Sequence, residues 1–182
     1  ATDTYNTGIG ASAGNDITTG IYNTIVGGLA GDAITTADHN TAVGYTALST
    51  NTTGANNTAV GSGALEANST AGSNTAVGYN ALTANTTAQY NTAVGSRTMD
   101  ANTTGASNTG VGYAALGTNT TADHNTAVGY HAMLDNTTAA SGVAIGSLAL
   151  ESNTTGSANT AVGYGALRAN TSGDTNTAVG SN

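Results

Sequence analysis

Apolar and small residues recur along this chain with a period of 17, and not with the 2 or 3.6 of an isolated strand or helix. The stretch Asn40-Thr41-Ala42-Val43-Gly44 returns at Asn57, Asn74, Asn91, Asn125, Asn159 and Asn176, and variants begin at Asn6, Asn23, Asn108 and Gly142. No insertion interrupts the eleven units. The Gly that closes the motif is present every time, from Gly10 to Gly180, and the residue before it is always Val or Ile. Self-similarity at a fixed period marks a unit that buries its apolar side chains only by stacking on its neighbours. Residues 1–182 therefore read as a single repeat array, with units starting at 6, 23, 40, 57, 74, 91, 108, 125, 142, 159 and 176.

With each unit counted from its Asn as position 1, positions 1–5 alternate. Thr and Val fall on one side, and Asn, Ala and Gly on the other, which is the signature of a short strand. The density of Thr, Asn and Gly disfavours helix. The alternation predicts a core built on the Val column, with a second apolar anchor at position 9. The expected core is Val43, Leu48, Val60, Leu65, Val77, Leu82, Val94, Val111, Leu116, Val128, Ile145, Leu150, Val162 and Leu167. Positions 9–14 predict a second strand, and position 15, always Gly or Ala, predicts a tight turn. Positions 7, 10, 16 and 17 vary freely and read as turns and outer face.

The predicted fold is all-β: a parallel β-solenoid of the β-roll type, with 17 residues per coil and about eleven coils. Two parallel sheets would run along the axis with strands about 4.8 Å apart. Asn and Thr columns would hydrogen-bond up and down the stack. Position 3 is Ala or Gly in ten of eleven units, with Ile25 the exception. It faces away from the expected Val core, so its uniformity predicts close packing against another copy of the chain. The first two complete units differ from the rest. They carry Gly14 and Gly31 where later units have Leu, and Ile17 and Ile34 where later units have Asn, as at a transition to a different preceding segment.

Composition narrows the function classes. Pro, Cys, Trp and Phe are absent and Gly reaches 26, which argues against a conventional globular core. Unbroken register argues against disorder, because disordered tracts tolerate length changes. The formal charge is −8, and Arg97 and Arg168 are the only basic residues besides three histidines, so nucleic acid is not an expected partner. No apolar run approaches the roughly 20 residues of a membrane span, so membrane insertion of this segment is not expected. Without cysteine there are no disulfides and no thiolate metal sites. The sequence is cut inside a unit at both ends. That pattern predicts either an excerpt of a longer fibre or coils that stack end to end into a filament, since open strand edges recruit other chains.

The stretch Ser141-Gly142-Val143-Ala144-Ile145-Gly146-Ser147 resembles the head repeat of trimeric autotransporter adhesins, in which a Val-Ala-Ile-Gly core recurs along a left-handed parallel β-roll. The fuller unit Asn-Thr-Ala-Val-Gly-Tyr-x-Ala-Leu-x-x-Asn-Thr-Thr-Gly also resembles repeat arrays of bacterial and phage surface fibres. The resemblance covers essentially the whole chain. It implies a homotrimeric, extracellular, cell-surface or virion-fibre segment. Such a rod spaces or presents an adhesive surface, with a carbohydrate or cell-surface receptor as its partner.

No catalytic, cofactor or metal site is expected. His39 and His124 sit in identical Ala-Asp-His-Asn peptides that the stacking places about 24 Å apart. No Ser/His/Asp constellation stands out from the abundant Ser and Thr. Tyr45, Tyr79, Tyr113, Tyr130 and Tyr164 share position 6; they form either a carbohydrate-contacting stripe or packing at a turn or between chains. Asn51, Asn68, Asn85, Asn102, Asn119, Asn136, Asn153 and Asn170 match the N-glycosylation acceptor pattern, and equally suit an unmodified Asn ladder. The alternative function is an ice-binding solenoid, with Thr columns at positions 2, 13 and 14. Position 2 is expected to point towards the Val core, which would leave a single outward Thr column.

Overall fold

A computed structural model describes residues 5–181. The chain is an all-β solenoid. Eleven three-residue strands, from β1 (Thr7–Ile9) and β2 (Thr24–Val26) to β10 (Thr160–Val162) and β11 (Thr177–Val179), form one parallel sheet in chain order. Every strand pairs in register with its counterpart 17 residues on, as in Thr75↔Thr92, Ala76↔Ala93 and Val77↔Val94.

The predicted second strand does not form: among the described residues, positions 9–14 are turn and bend. Inter-coil hydrogen bonds continue through them, for instance from the Leu82 amide to the Thr98 carbonyl (3.0 Å) and from the Thr86 amide to the Thr103 carbonyl (3.1 Å). The reason for the missing strand lies in the backbone. Positions 7, 9 and 17 adopt left-handed conformations with residues as large as Leu82 (φ 51°), Arg97 (φ 57°) and His124 (φ 60°). Each such residue costs about 1–2 kcal/mol outside glycine. Together they bend the coil closed within 17 residues, and the one at position 9 interrupts the start of the predicted second strand.

The core assignment is corrected in part. Position 3 lies inside the coil, with Ala42, Ala59, Ala76 and Ala93 fully buried, and positions 8 and 9 join it through Ala47, Leu48, Ala64, Leu65, Ala81 and Leu82. Leu116 and Leu150 are buried as expected, and Leu167 is half-buried. The expected Val column faces outward. Val43, Val60, Val77, Val111, Val128 and Val162 are half-buried, while Val94 and Ile145 are exposed at 37% and 42%. The alternation itself is as predicted, but its inner and outer faces are exchanged. Beside the Leu at position 9 the coil has no room for a second row of branched side chains, so the strand turns its smallest residue inward. The uniformity of position 3 thus reflects the chain's own interior and not a second copy.

Interior volume is conserved coil by coil. Ile25, Ile34 and the half-buried Ile17 fill the space that Leu takes elsewhere, and Gly14 and Gly31 make the room. A Cβ at Gly14 would meet the Cδ1 atoms of Ile17 and Ile25 at 3.0 Å. The divergence of the first two units is therefore an alternative packing of one interior. Met99 and Met133 are compensated likewise. A Cβ at Gly110 would meet Thr98 Cγ2 at 2.7 Å and Met99 Cε at 3.2 Å, and one at Gly142 would meet Met133 Cε at 2.7 Å.

The closing Gly has a separate cause. From Gly10 to Gly163 its φ lies between 130° and 140°, and a Cβ there would fall within 3.0 Å of the next coil's backbone. No L side chain suits that conformation or that gap.

Two outcomes check this packing. Leu82→Ala lowers unfolding free energy by about 2–5 kcal/mol in denaturant melts, the usual range for a buried Leu. Gly110→Ala destabilises alone, and adding Thr98→Ala, which restores the Ala found at position 8 in the other units, recovers most of the loss in a double-mutant cycle.

Candidate functional site

Three features organise the described coil: a polar seam inside, the strand face outside, and an aromatic edge at the turns. The seam is built from two Asn columns. At position 1 each Asn presents Oδ1 to the amide of its successor, as from Asn91 to Asn74 (2.9 Å) and from Asn108 to Asn91 (2.9 Å). At position 12 the amides pass directly along the stack, Asn85 Nδ2 to Asn68 Oδ1 (3.0 Å) and Asn102 Nδ2 to Asn85 Oδ1 (3.1 Å). The two columns meet at one acceptor: the Ala88 carbonyl takes Asn74 Nδ2 at 2.8 Å and Asn85 Nδ2 at 3.0 Å. The same pairing recurs at the carbonyls of Ala71, Gly105, Ala122 and Ala139. A third column runs through position 13, where Thr86 Oγ1 donates to the Thr103 carbonyl (3.2 Å) and Thr103 Oγ1 to the Thr120 carbonyl (3.0 Å). The expected Asn and Thr ladders are thus present.

In the folded coil the glycosylation candidates form the Asn ladder that is their alternative reading. Asn51, Asn68, Asn85, Asn102, Asn119, Asn136 and Asn153 are fully buried, and their Nδ2 groups donate within the seam. Asn170 is half-buried and bonded to Asn153 and Gly173. A glycan needs Nδ2 in solvent, and the folded coil does not offer it.

The strand face carries Thr at position 2, replaced once by Val143, and Val or Ile at position 4, both turned outward. Strand spacing sets about 4.8 Å between like residues along the axis, and the rise per residue sets about 6.6 Å between the two columns. Among the described residues no acidic or basic side chain lies in a strand. Thr therefore points away from the interior, contrary to the expectation for position 2.

The aromatic edge is partly stacked. Tyr45, Tyr79, Tyr113, Tyr130 and Tyr164 are 45–60% exposed. Tyr113 lies over Tyr130 with centroids 5.7 Å apart, and Tyr130 over His131 at 3.8 Å. His39 stacks on Tyr22, which stacks on Tyr5. His131 Nδ1 is 3.5 Å from Glu151 Oε1, and Arg168 Nε is 2.6 Å from Glu151 Oε2. The Arg97 guanidinium pairs with Asp100 (3.0 Å), and that hydrogen bond and charge, with Tyr113 adding to them, push its pKa above the usual arginine value. Asp38 and Asp123 accept the Ile21 and Ala106 amides of the preceding coil. Among the described residues no group of three or more His, Cys, Asp or Glu is placed to hold a metal, and no helix is long and apolar enough to cross a membrane.

Comparison with protein-family models, with characterised proteins and with solved structures finds no match.

The sequence reading missed the outward Thr-and-Val face. One signal for it was present. Ile25 at position 3 occurs beside the units that lose Leu at position 9, which is the mark of two positions sharing one interior.

The seam is directly testable. Asn85→Ala leaves Asn68, Asn102 and the Ala88 carbonyl each short of a partner, and thermal or denaturant unfolding registers a loss above about 3 kcal/mol. When the chain is secreted from a glycosylating host, enzymatic de-N-glycosylation leaves its mass unchanged.

Proposed function

We propose that the chain is a rigid segment of an extracellular fibre, and that copies of it associate laterally through the strand face into a homotrimer. It has no enzymatic role in this reading; it spaces or presents an adhesive surface. The observation that carries the proposal is the uncharged, half-exposed Thr-and-Val face along one parallel sheet. Parallel sheets are ordinarily covered on both faces, and here only the inner face is covered by the chain itself. A second copy suits the outer face because its columns have the same axial repeat, so Val rows can interdigitate in every coil. The likeness to trimeric adhesin repeats supports three copies and a cell-surface or virion location.

A second reading is favoured by one observation. The outward Thr column, in register from coil to coil except at Val143, is a regular array suited to ordering water as an ice-binding face does. The two readings compete for the same surface.

Val94→Asp separates them. Val94 is 37% exposed, so the substitution leaves the circular-dichroism spectrum of the single coil stack intact while burying a charge at a lateral contact. Sedimentation of the parent at micromolar concentration gives a trimer, and the variant sediments as a folded monomer. A parent that is monomeric overturns the fibre reading. A monomer that also produces thermal hysteresis, lost in Thr92→Tyr, establishes the ice-binding one.

A further inference from the structure

We propose a second, independent feature: a binding notch for one neutral sugar ring on the turn edge, where the repeat departs from its own pattern. Position 10 carries a side chain in every complete unit except one, Gly117. Position 7 of the same unit is also small, Ala114. The coil before supplies Arg97 and Asp100 at these positions, and the coil after supplies His131 and Leu134. Two small residues between two coils of large ones leave a notch of about 200 Å³. Its walls stand two coil spacings apart, about 9.6 Å.

The lining chooses the ligand. Tyr113, 45% exposed, lines the notch; one ring face is stacked on Tyr130 and His131, which leaves the opposite face for a ligand, and Leu134 adds an apolar wall. Sugar rings present C–H faces of this kind to aromatic rings. Arg97, Asp100 and the exposed Thr118 supply donors and acceptors suited to neighbouring hydroxyls. Charge decides against an anion, because Arg97 is already neutralised by Asp100 at 3.0 Å, and the chain carries a net charge of −8. A single carboxylate decides against a metal ion. The volume is below the roughly 300–1,000 Å³ of a drug-sized pocket, so one ring fits where a long ligand does not. None of the lining residues belongs to the strand face, so lateral association and sugar binding do not exclude one another.

Saturation-transfer difference NMR on the full chain tests this with methyl β-glucopyranoside, methyl β-galactopyranoside, methyl α-mannopyranoside and, as an acidic comparison, methyl β-glucuronide. At least one neutral glycoside gives transfer with a dissociation constant in the millimolar range. Tyr113→Ala weakens it about tenfold or more, whereas Tyr45→Ala, in the same column away from the notch, leaves it unchanged. Gly117→Leu fills the notch and abolishes transfer; its Cβ would meet the flexible end of Leu134, Cδ1, at 3.0 Å and the Ala114 carbonyl oxygen at 3.1 Å, so its melt is part of the test. A circular-dichroism melt equal to the parent's confirms that the variant is folded. No transfer from any neutral glycoside at about 20 mM, transfer from the glucuronide alone, or transfer that survives Gly117→Leu overturns the proposal.

Discussion

The coil spacing imposed by the buried Asn seam is the constraint to which the other positions answer. From Ala71 to Ala139 each carbonyl at position 15 is held by two amides from opposite sides of the coil, as at Ala88 by Asn74 and Asn85. A coil 17 residues long has little apolar interior, and its left-handed residues add strain in every turn. Satisfied amide columns in a low-dielectric interior offset part of that strain, because each bond is made out of competition with water. The same columns make the register severe. A coil displaced by one residue would leave Asn side chains buried without partners, which is costlier than losing a few apolar contacts.

Close stacking explains the rest of the repeat's rigidity. The Gly at position 5 is invariant because the next coil's backbone occupies the place of its Cβ. The interior behaves as a volume shared between positions 3, 8, 9 and 12. Leu with Asn is exchanged for Gly with Ile in the first two units, and Met99 is accompanied by Gly110. Such paired changes are what a densely packed interior permits, since a single added methyl has nowhere to go.

The period, the parallel stacking and the Asn and Thr ladders were legible in the sequence, because periodicity and hydrogen-bonding capacity are properties of residue type and spacing. The direction of the strand was not. Alternation gives two faces without saying which is inner, and hydrophobicity points to Val94 over Ala93. Volume settles the matter the other way: beside Leu82 at position 9 only a small residue fits at position 3, and Val94 is left at the surface. The second strand failed for a different reason. Nothing in the type of Leu82 or Arg97 announces a left-handed backbone, which is imposed by closing the coil. The Asn-Thr-Thr acceptor pattern was visible as a motif, but its burial depends on that same closure.

A strict repeat also limits where recognition can arise. Identical coils offer identical surfaces, so the strand face suits a partner that is itself periodic, such as the second copy proposed above. A discrete ligand requires a break in the pattern. The interior cannot supply one without losing a seam bond or an Ala contact, whereas positions 7 and 10 vary from Gly to Arg with the backbone unchanged. Gly117 between Asp100 and Leu134 is such a break. Periodic function is therefore confined to the sheet and aperiodic function to the turns, and the two can diverge in sequence independently because no side chain serves both.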